Sequence, residues 1–194
     1  MRAPYGGTFA GMGVLITVIV LVLLGLVAVW AFNRLVSLRN RTDEAYAQID
    51  VQLKRRYDLI PNLVETVKGY AAHERGTLEA VTSARNAAAG ASGVAATAEA
   101  NNVLSGALGR LFAVAEAYPD LKANATFLNL MEQLTTTENQ LGFARQFYND
   151  SVRALNTAIE TFPLMLLAGM AKATRREYFQ VDDAAVREAP TVQF

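Results

Sequence analysis

The sequence predicts an all-α membrane protein, with one N-terminal transmembrane helix followed by an elongated antiparallel bundle of long helices. Three observations lead to this prediction. Residues 3–33 carry no charge. Through most of the remaining chain, apolar residues recur at helical spacing. Only five prolines occur in 194 residues, so few helices are interrupted.

The uncharged segment is long enough to cross a bilayer. Residues 13–32 contain a single hydroxyl, that of Thr17, and about 20 residues of helix rise roughly 30 Å, the thickness of the hydrocarbon core. A cleaved signal peptide has a shorter apolar stretch and a small-residue cleavage site, whereas this segment ends in the bulky Trp30 and Phe32. We therefore expect residues 13–32 to form a transmembrane helix and residues 1–12 to form a short extracytoplasmic N-terminus.

Flanking charge predicts the orientation. Arg2 precedes the span, whereas Arg34, Arg39 and Arg41 follow it before the first acid, Asp43. Positive residues favour the cytoplasmic side. The bulk of the chain is therefore expected in the cytoplasm, with the lipid bilayer as its first partner.

Composition excludes several function classes for the rest of the chain. The 18 basic and 18 acidic residues balance, which argues against a nucleic-acid partner because such proteins carry a basic excess. There are no cysteines and one histidine, His73. Disulfides, thiol catalysis and histidine-based metal clusters are thereby excluded.

The first helix after the span is predicted over residues 35–88. Its apolar positions keep helical spacing on both sides of Pro61: Leu38, Ala45, Ile49, Leu53, Ile60, Val64, Val67, Ala71, Leu78 and Val81. Proline lacks the amide that bonds one turn back, and its ring clashes with that turn. Because the stripe stays in register across Pro61, we expect a kink there and one continuous bent helix. A short turn near Gly69 and Gly76 is the alternative.

Two further helices are predicted after a flexible break at residues 87–96. One covers residues 98–117 and ends at the turn formed by Tyr118, Pro119 and Asp120, because residues before proline avoid the helical region. The other covers residues 124–161. Its seam has a seven-residue spacing, which is typical of helices packed knobs-into-holes.

Polar residues interrupt that seam at Glu138 and Arg145. They either bond to other helices, which fixes register at some cost in stability, or extend outward at the edge of the stripe. The candidates for an inter-helix polar network are Asp50, Arg56, Asp58, Glu138, Asn139, Arg145, Tyr148 and Asn149. A carboxylate metal site is the chemical alternative, but helical metal bundles pair glutamate with histidine. No catalytic, cofactor or metal site is predicted.

The C-terminal part contains an apolar block at residues 164–170, which is too short to span a bilayer. It either caps the bundle, which we favour, or touches the membrane surface with Lys172, Arg175 and Arg176 facing anionic head groups. Residues 180–194 show no periodic pattern and are expected to be a disordered tail.

Several strings in this sequence resemble the LemA family. They are residues 49–64 (IDVQLKRRYDLIPNLV), 65–74 (ETVKGYAAHE), 117–124 (AYPDLKAN), 137–140 (TENQ), 144–150 (ARQFYND), 162–163 (FP) and 176–179 (REYF). The resemblance covers nearly all of residues 33–179 in order. Tyr46 stands where the family tends to have tryptophan, and Leu155 stands where an aromatic residue is common; both differences concern packing detail.

The resemblance implies a bacterial cytoplasmic-membrane protein with one N-terminal span, a cytoplasmic helical bundle over residues 33–179 and no established enzymatic activity. One relative is a magnetosome-membrane protein needed for organelle formation, and some relatives lie beside membrane metallopeptidases. We therefore expect a membrane-anchored scaffold that forms a homo-oligomer and organises or shapes the membrane. The alternatives are an adaptor for another membrane protein, such as a metallopeptidase, and an enzyme or ion carrier with a polar site in the bundle.

Overall fold

The computed structural model describes residues 6–180, with side chains from residue 11 onward, and it confirms the all-α prediction. The described residues contain helices and no strand. The elements are α1 (Gly6–Lys68), α2 (Arg75–Gly90), α3 (Val94–Glu116), α4 (Pro119–Lys122), α5 (Ala125–Glu160) and a short 3-10 helix (Leu164–Leu167). Residues 1–5 of the predicted N-terminal segment and residues 181–194 of the predicted tail lie outside the described part.

The N-terminal part of α1 is both long enough and apolar enough to cross a membrane. Every residue from 11 to 30 is exposed, so this segment has no protein core to pack into. The Thr17 hydroxyl donates to the Gly13 carbonyl oxygen at 2.9 Å, which satisfies the polar group of that side chain inside an apolar helix.

The chain divides into two compact units, which we call the span unit and the bundle unit. The described residues of the span unit are 6–42 and 153–176, and those of the bundle unit are 43–152 and 177–180. Helices α1 and α5 each contribute residues to both units.

The bundle unit is built from α1, α2, α3 and α5 around an apolar core. On α1, Ile49 and Leu53 share a buried cluster with Leu141 and Tyr148 of α5. A second cluster joins Ile60, Leu63 and Val67 of α1 to Leu134, Leu130 and Phe127 of α5, with Leu78 and Val81 of α2 and Leu104, Leu108 and Leu111 of α3. Rising numbers on α1 meet falling numbers on α5, so these two helices are antiparallel within the unit.

The span unit has its own smaller core. Leu35 and Leu38 of α1 pack with Leu155 and Ala158 of α5 and with residues of the following segment, including Leu164, Ala171 and Ala173. Leu164 is 9% exposed. Part of the 164–170 block therefore caps a core, as expected, but other members of the block are exposed and are considered below.

The prediction of one helix over residues 35–88 is wrong, because α1 ends at Lys68 and α2 begins at Arg75. The chain turns between them, with the Ala71 amide bonded to the Val67 carbonyl and the Glu74 amide bonded to the Ala71 carbonyl. The apolar stripe continues in phase because Leu78 and Val81 enter the same core from a second helix. An apolar stripe that stays in register therefore does not show whether the chain continues as one helix or turns back into a second helix.

The predicted break at residues 87–96 is shorter in the structure. Helix α2 ends at Gly90 and α3 begins at Val94. Gly93 has a φ of 87°, a backbone conformation that favours glycine because it has no Cβ. The small residues at this position serve a tight connection between two helices.

Pro61 lies inside α1 without ending it. Proline cannot bond the carbonyl four residues earlier, which here is that of Tyr57. The Nε–H of Arg85, on α2, donates to this Tyr57 carbonyl oxygen at 3.2 Å. A side chain from the neighbouring helix thus replaces the missing backbone donor and joins α2 to α1. The kink at Pro61 stays a prediction.

We expect Arg85→Ala to destabilise the protein by about 1–2 kcal/mol, because a part-buried carbonyl loses its charged donor. In a Pro61→Ala background the cost should be about 1 kcal/mol smaller, since the new amide at position 61 can bond Tyr57 as in a regular helix. Thermal unfolding of the wild type, the two single variants and the double variant in mild detergent measures the coupling between positions 61 and 85. Arg110→Ala, which removes an exposed arginine of α3, is the matched control. Equal costs of Arg85→Ala in both backgrounds would contradict the assignment.

Candidate functional site

A buried arginine lies at the centre of the bundle unit. Arg56, on α1, is 4% exposed. Its Nη2 donates to the hydroxyl of Ser105 on α3 at 2.8 Å, and its Nη1 lies 3.3 Å from a carboxylate oxygen of Glu138 on α5. One side chain therefore connects three helices.

Glu138 is shared between two arginines. Its second carboxylate oxygen lies 3.6 Å from Nη1 of Arg145, two turns further along α5. Burial lowers the pKa of Arg56, while the Glu138 carboxylate opposes that shift. Arginine nevertheless stays protonated in proteins. The buried positive charge of Arg56 therefore depends on the Glu138 carboxylate for its counter-charge.

A second polar contact joins α1 to α3 through Tyr57 and Asn101. Asn101 is fully buried, and its amide nitrogen donates to the Tyr57 hydroxyl at 2.7 Å and to the Thr97 carbonyl oxygen at 2.8 Å. Burial raises the pKa of Tyr57, and the bond from Asn101 opposes that shift. The contact favours one register of α3 against α1, because sliding either helix would take the Tyr57 hydroxyl away from the buried Asn101 amide.

Two of the predicted carboxylates lie away from this cluster, at an open cavity of about 520 Å³. Asp50 and Asp58 line it together with Tyr46, Tyr57 and Arg85. Partial burial of its carboxyl raises the pKa of Asp50, although most of the residue is exposed. Asp58 pairs with Lys54 on the same helix at 3.4 Å, and both side chains are largely exposed. An exposed pair of this kind contributes little stability.

Tyr148 and Asn149 hold the last described residues, 177–180, which we call the C-terminal strap. The Tyr148 hydroxyl donates to the Glu177 carbonyl oxygen at 2.9 Å. The side-chain amide of Asn149 donates to the carbonyl of Phe179 and accepts from its amide. The guanidinium carbon of Arg145 lies 5.3 Å from the centre of the Phe179 ring. These residues bind backbone of the same chain.

The structure therefore brings together only part of the predicted network. Arg56, Glu138 and Arg145 meet, Asn139 lines a cavity beside Arg56 and Glu138, Tyr148 and Asn149 bind the strap, and Asp50 and Asp58 lie at the open cavity. Sequence reasoning missed Ser105, Asn101 and Arg85. Asn101 was detectable, because it shares the apolar face of α3 with Thr97, Leu104 and Leu108. Arg85 and Ser105 are ordinary exposed-face residues in the sequence and gave no such signal.

The described residues hold no group of three or more His, Cys, Asp and Glu side chains that would bind a metal ion. His73 lies exposed in the turn between α1 and α2. The polar contacts described above join helices to one another and to the strap, with Nη1 of Arg56 held by its ion pair with Glu138 and Oδ1 of Asn101 buried without a hydrogen bond in the described chain. These contacts hold four helices and the C-terminal strap in one register.

Comparison with known proteins gives a consistent family. The profile of the LemA family matches residues 45–194. Magnetosome proteins MamQ 1 and MamQ 2 of Paramagnetospirillum magneticum are each 26% identical over 175 residues, which covers 77% of this chain and 64% of the relative. The MamQ protein of Magnetospirillum gryphiswaldense is 25% identical over 174 residues, covering 76% of this chain and 64% of the relative. The chain thus spans about 64% of the length of these relatives. With the exposed apolar helix, they indicate a membrane-associated protein.

Neutralising Glu138 alone should lower the stability of the protein more than replacing both Glu138 and Arg56. We expect Glu138→Gln to destabilise the protein by about 2–3 kcal/mol, because it leaves the buried Arg56 without a carboxylate, with the half-exposed position of Glu138 limiting the loss. Adding Arg56→Met should recover part of that loss, since an apolar side chain of similar length fits a buried site. Denaturant unfolding in mild detergent measures both. Glu132→Gln, at an exposed position of α5, should change stability by less than about 0.5 kcal/mol. A double variant less stable than Glu138→Gln would refute this account.

Proposed function

This chain belongs to the LemA family, and on that premise we propose that it is a membrane-anchored helical scaffold that self-associates and organises or shapes the bilayer without catalysing a reaction. We place its span at residues 13–32 in a bacterial cytoplasmic membrane, with the N-terminus outside and the bundle unit in the cytoplasm. The charges after the span support this orientation. Magnetosome proteins among the relatives support a role at a membrane.

One observation carries the self-association: an uncharged, largely apolar surface formed by α1 and α5 in the bundle unit. We call it the α1–α5 surface. It is lined by Ala47, Gln48, Val51, Gln52, Gln140, Phe143, Ala144 and Phe147, around a shallow groove of about 560 Å³. Phe143 is 74% exposed and Val51 is 62% exposed. Exposed apolar residues that cluster in this way mark an interaction site rather than ordinary surface.

The chemistry of the α1–α5 surface fits a second copy of the same chain. None of its lining residues is charged, so two copies can meet there without like-charge repulsion. Glutamine offers both donors and an acceptor, so the glutamines at its edge can bond to their own counterparts.

The size of the surface predicts a weak contact that depends on the membrane. A buried aromatic side chain covers roughly 150–250 Å², so Phe143, Phe147 and Val51 together supply less than the roughly 800 Å² per partner of a stable complex. Tethering to one membrane raises the effective concentration of neighbouring copies into the range of about millimolar. A contact too weak for solution is then sufficient in the plane of the bilayer.

The absence of a catalytic role is part of the proposal. Most of the polar side chains described above bond to another helix or to the strap, and Asp50 and Asp58 line the open cavity. The names of the relatives describe no enzymatic activity. A helical bundle that fixes its own register and presents one uncharged apolar surface has the properties of an assembly unit.

We expect Phe143→Ser to shift the protein from oligomer to monomer in lipid vesicles, because it removes the largest exposed apolar side chain of the α1–α5 surface. Single-molecule photobleaching of the labelled full chain counts the copies in each assembly over a range of protein-to-lipid ratios. Leu128→Ser is the matched control, since Leu128 is a 54% exposed apolar residue of α5 outside the surface, and it should leave the copy number unchanged.

A single-cysteine variant, Gln140→Cys, locates the contact in the same vesicles. The chain has no other cysteine, so an oxidative crosslink between copies reports proximity at this position alone. Crosslinking that disappears with Phe143→Ser is the expected result. A chain that stays monomeric at every density, or that crosslinks in cell membranes only to a different protein, would overturn the scaffold and favour an adaptor.

A further inference from the structure

The segment that follows α5 carries a second set of exposed apolar side chains, this time in the span unit. Residues 161–172 connect α5 to the returning chain, and four large apolar residues among them are well exposed: Phe162 (76%), Met165 (50%), Leu166 (68%) and Met170 (73%). We call these residues the apolar tip. Scattered exposed apolar residues are common on proteins, but four within nine positions form a patch that needs a partner.

The apolar tip belongs to an ordered turn. The Met165 amide bonds to the Thr161 carbonyl at 2.9 Å, and the Ala171 amide bonds to the Leu167 carbonyl at 3.0 Å. After the turn the chain returns along α5, where the side-chain amide of Asn156 both donates to the Arg176 carbonyl and accepts from its amide. Since both ends are fixed, the segment is a hairpin whose bend presents the apolar tip.

The hairpin lies where the apolar part of α1 ends. Leu164 and Ala171 share a buried cluster with Ala31 and Leu35 of α1. Arg39 donates from Nη1 to the Ala171 carbonyl oxygen at 3.0 Å. If hydrocarbon contact ends near Phe32, these positions of α1 lie within about 10 Å of the boundary, at a rise of 1.5 Å per residue. The head-group region of one leaflet is about 5–8 Å deep, so Leu35 lies within it and Arg39 lies close to its aqueous side.

Charge around the hairpin matches the same location. Lys172 is exposed at its end, and Arg34 is exposed on the adjoining turn of α1. Arg175 forms an ion pair with Glu160 at 2.7 Å. Apolar side chains next to exposed basic ones are typical of segments that lie in the membrane interface, where the basic groups meet anionic head groups.

From this placement we infer that the apolar tip inserts into the lipid bilayer beside the transmembrane helix, as a second and interfacial membrane contact. Leu164 holds the hairpin on α1, while Phe162, Met165, Leu166 and Met170 enter the boundary between head groups and acyl chains. The span unit then contacts the membrane at two places, the transmembrane helix and the apolar tip. A single helix is free to rotate and tilt, whereas interfacial anchors restrict both. This inference rests on the transmembrane helix and not on self-association.

Depth-dependent fluorescence quenching tests the inference on the full chain. Leu166→Cys and Met170→Cys each give one labelling site, because the natural chain has no cysteine. The labelled protein is reconstituted into vesicles of neutral and anionic phosphatidyl lipids, at less than one copy per vesicle so that copies do not meet. Leu128→Cys, an exposed apolar position in the bundle unit, is the matched control.

We expect nitroxide lipids to quench both tip labels strongly, more with a shallow nitroxide than with a deep one, and to leave the Leu128→Cys label bright. Adding Phe162→Ser and Met165→Ser to the Leu166→Cys chain should remove most of the quenching while helix content stays unchanged. Tip labels as bright as the control would overturn the inference. So would quenching that survives both serine substitutions, because α1 alone would then hold the hairpin near lipid. A label shielded only at high protein density would instead assign the tip to contacts between copies.

Discussion

The structure depends on one helix, α1, whose two parts have different surroundings. Residues 11–30 of α1 are exposed and almost wholly apolar, and no element of the described chain covers them, which fits a membrane-associated protein. From Ala31 and Leu35 onward the same helix carries a buried apolar stripe and a polar face. Both cores begin from that stripe, since each cluster of buried residues contains side chains of α1.

A helix that serves two units also has to keep its register, and polar groups from its neighbours fix it. Pro61 leaves the Tyr57 carbonyl without a backbone donor, and Arg85 supplies one. Arg56 is a buried charge on α1 that only Glu138 of α5 and Ser105 of α3 can match. Such groups add little net stability. They penalise every arrangement in which they are left without partners, so one packing of the four helices is favoured over sliding by a turn.

The sequence predicted the elements whose signal lies in local periodicity and missed those decided by distant partners. The apolar span, the break near Gly93 and the long helix α5 followed from composition and spacing. The turn after Lys68 was only the alternative to a continuous helix, because Leu78 and Val81 keep the phase of the stripe although the chain has reversed. Glu138 and Arg145 stood out as polar residues in a seam, and Asn101 in α3 carried the same signal. The roles of Arg85 and of Phe179 depend on which groups of distant residues lie opposite them, which no pattern along the chain encodes.

The contrast between the faces of α1 supports assembly over chemistry. On one side, Asp50, Lys54 and Asp58 give a charged, hydrated surface beside an open cavity. On another, Ala47, Val51 and the flanking glutamines give a surface without charge that meets Phe143. A soluble bundle without a partner gains nothing from exposing phenylalanine on a helix that otherwise segregates polar and apolar residues. In the scaffold that we propose, the contact made by this small exposed set is weak in three dimensions and becomes effective when a membrane holds many copies in one plane. In that proposal the membrane both anchors the chain and provides the density of copies at which the α1–α5 surface binds.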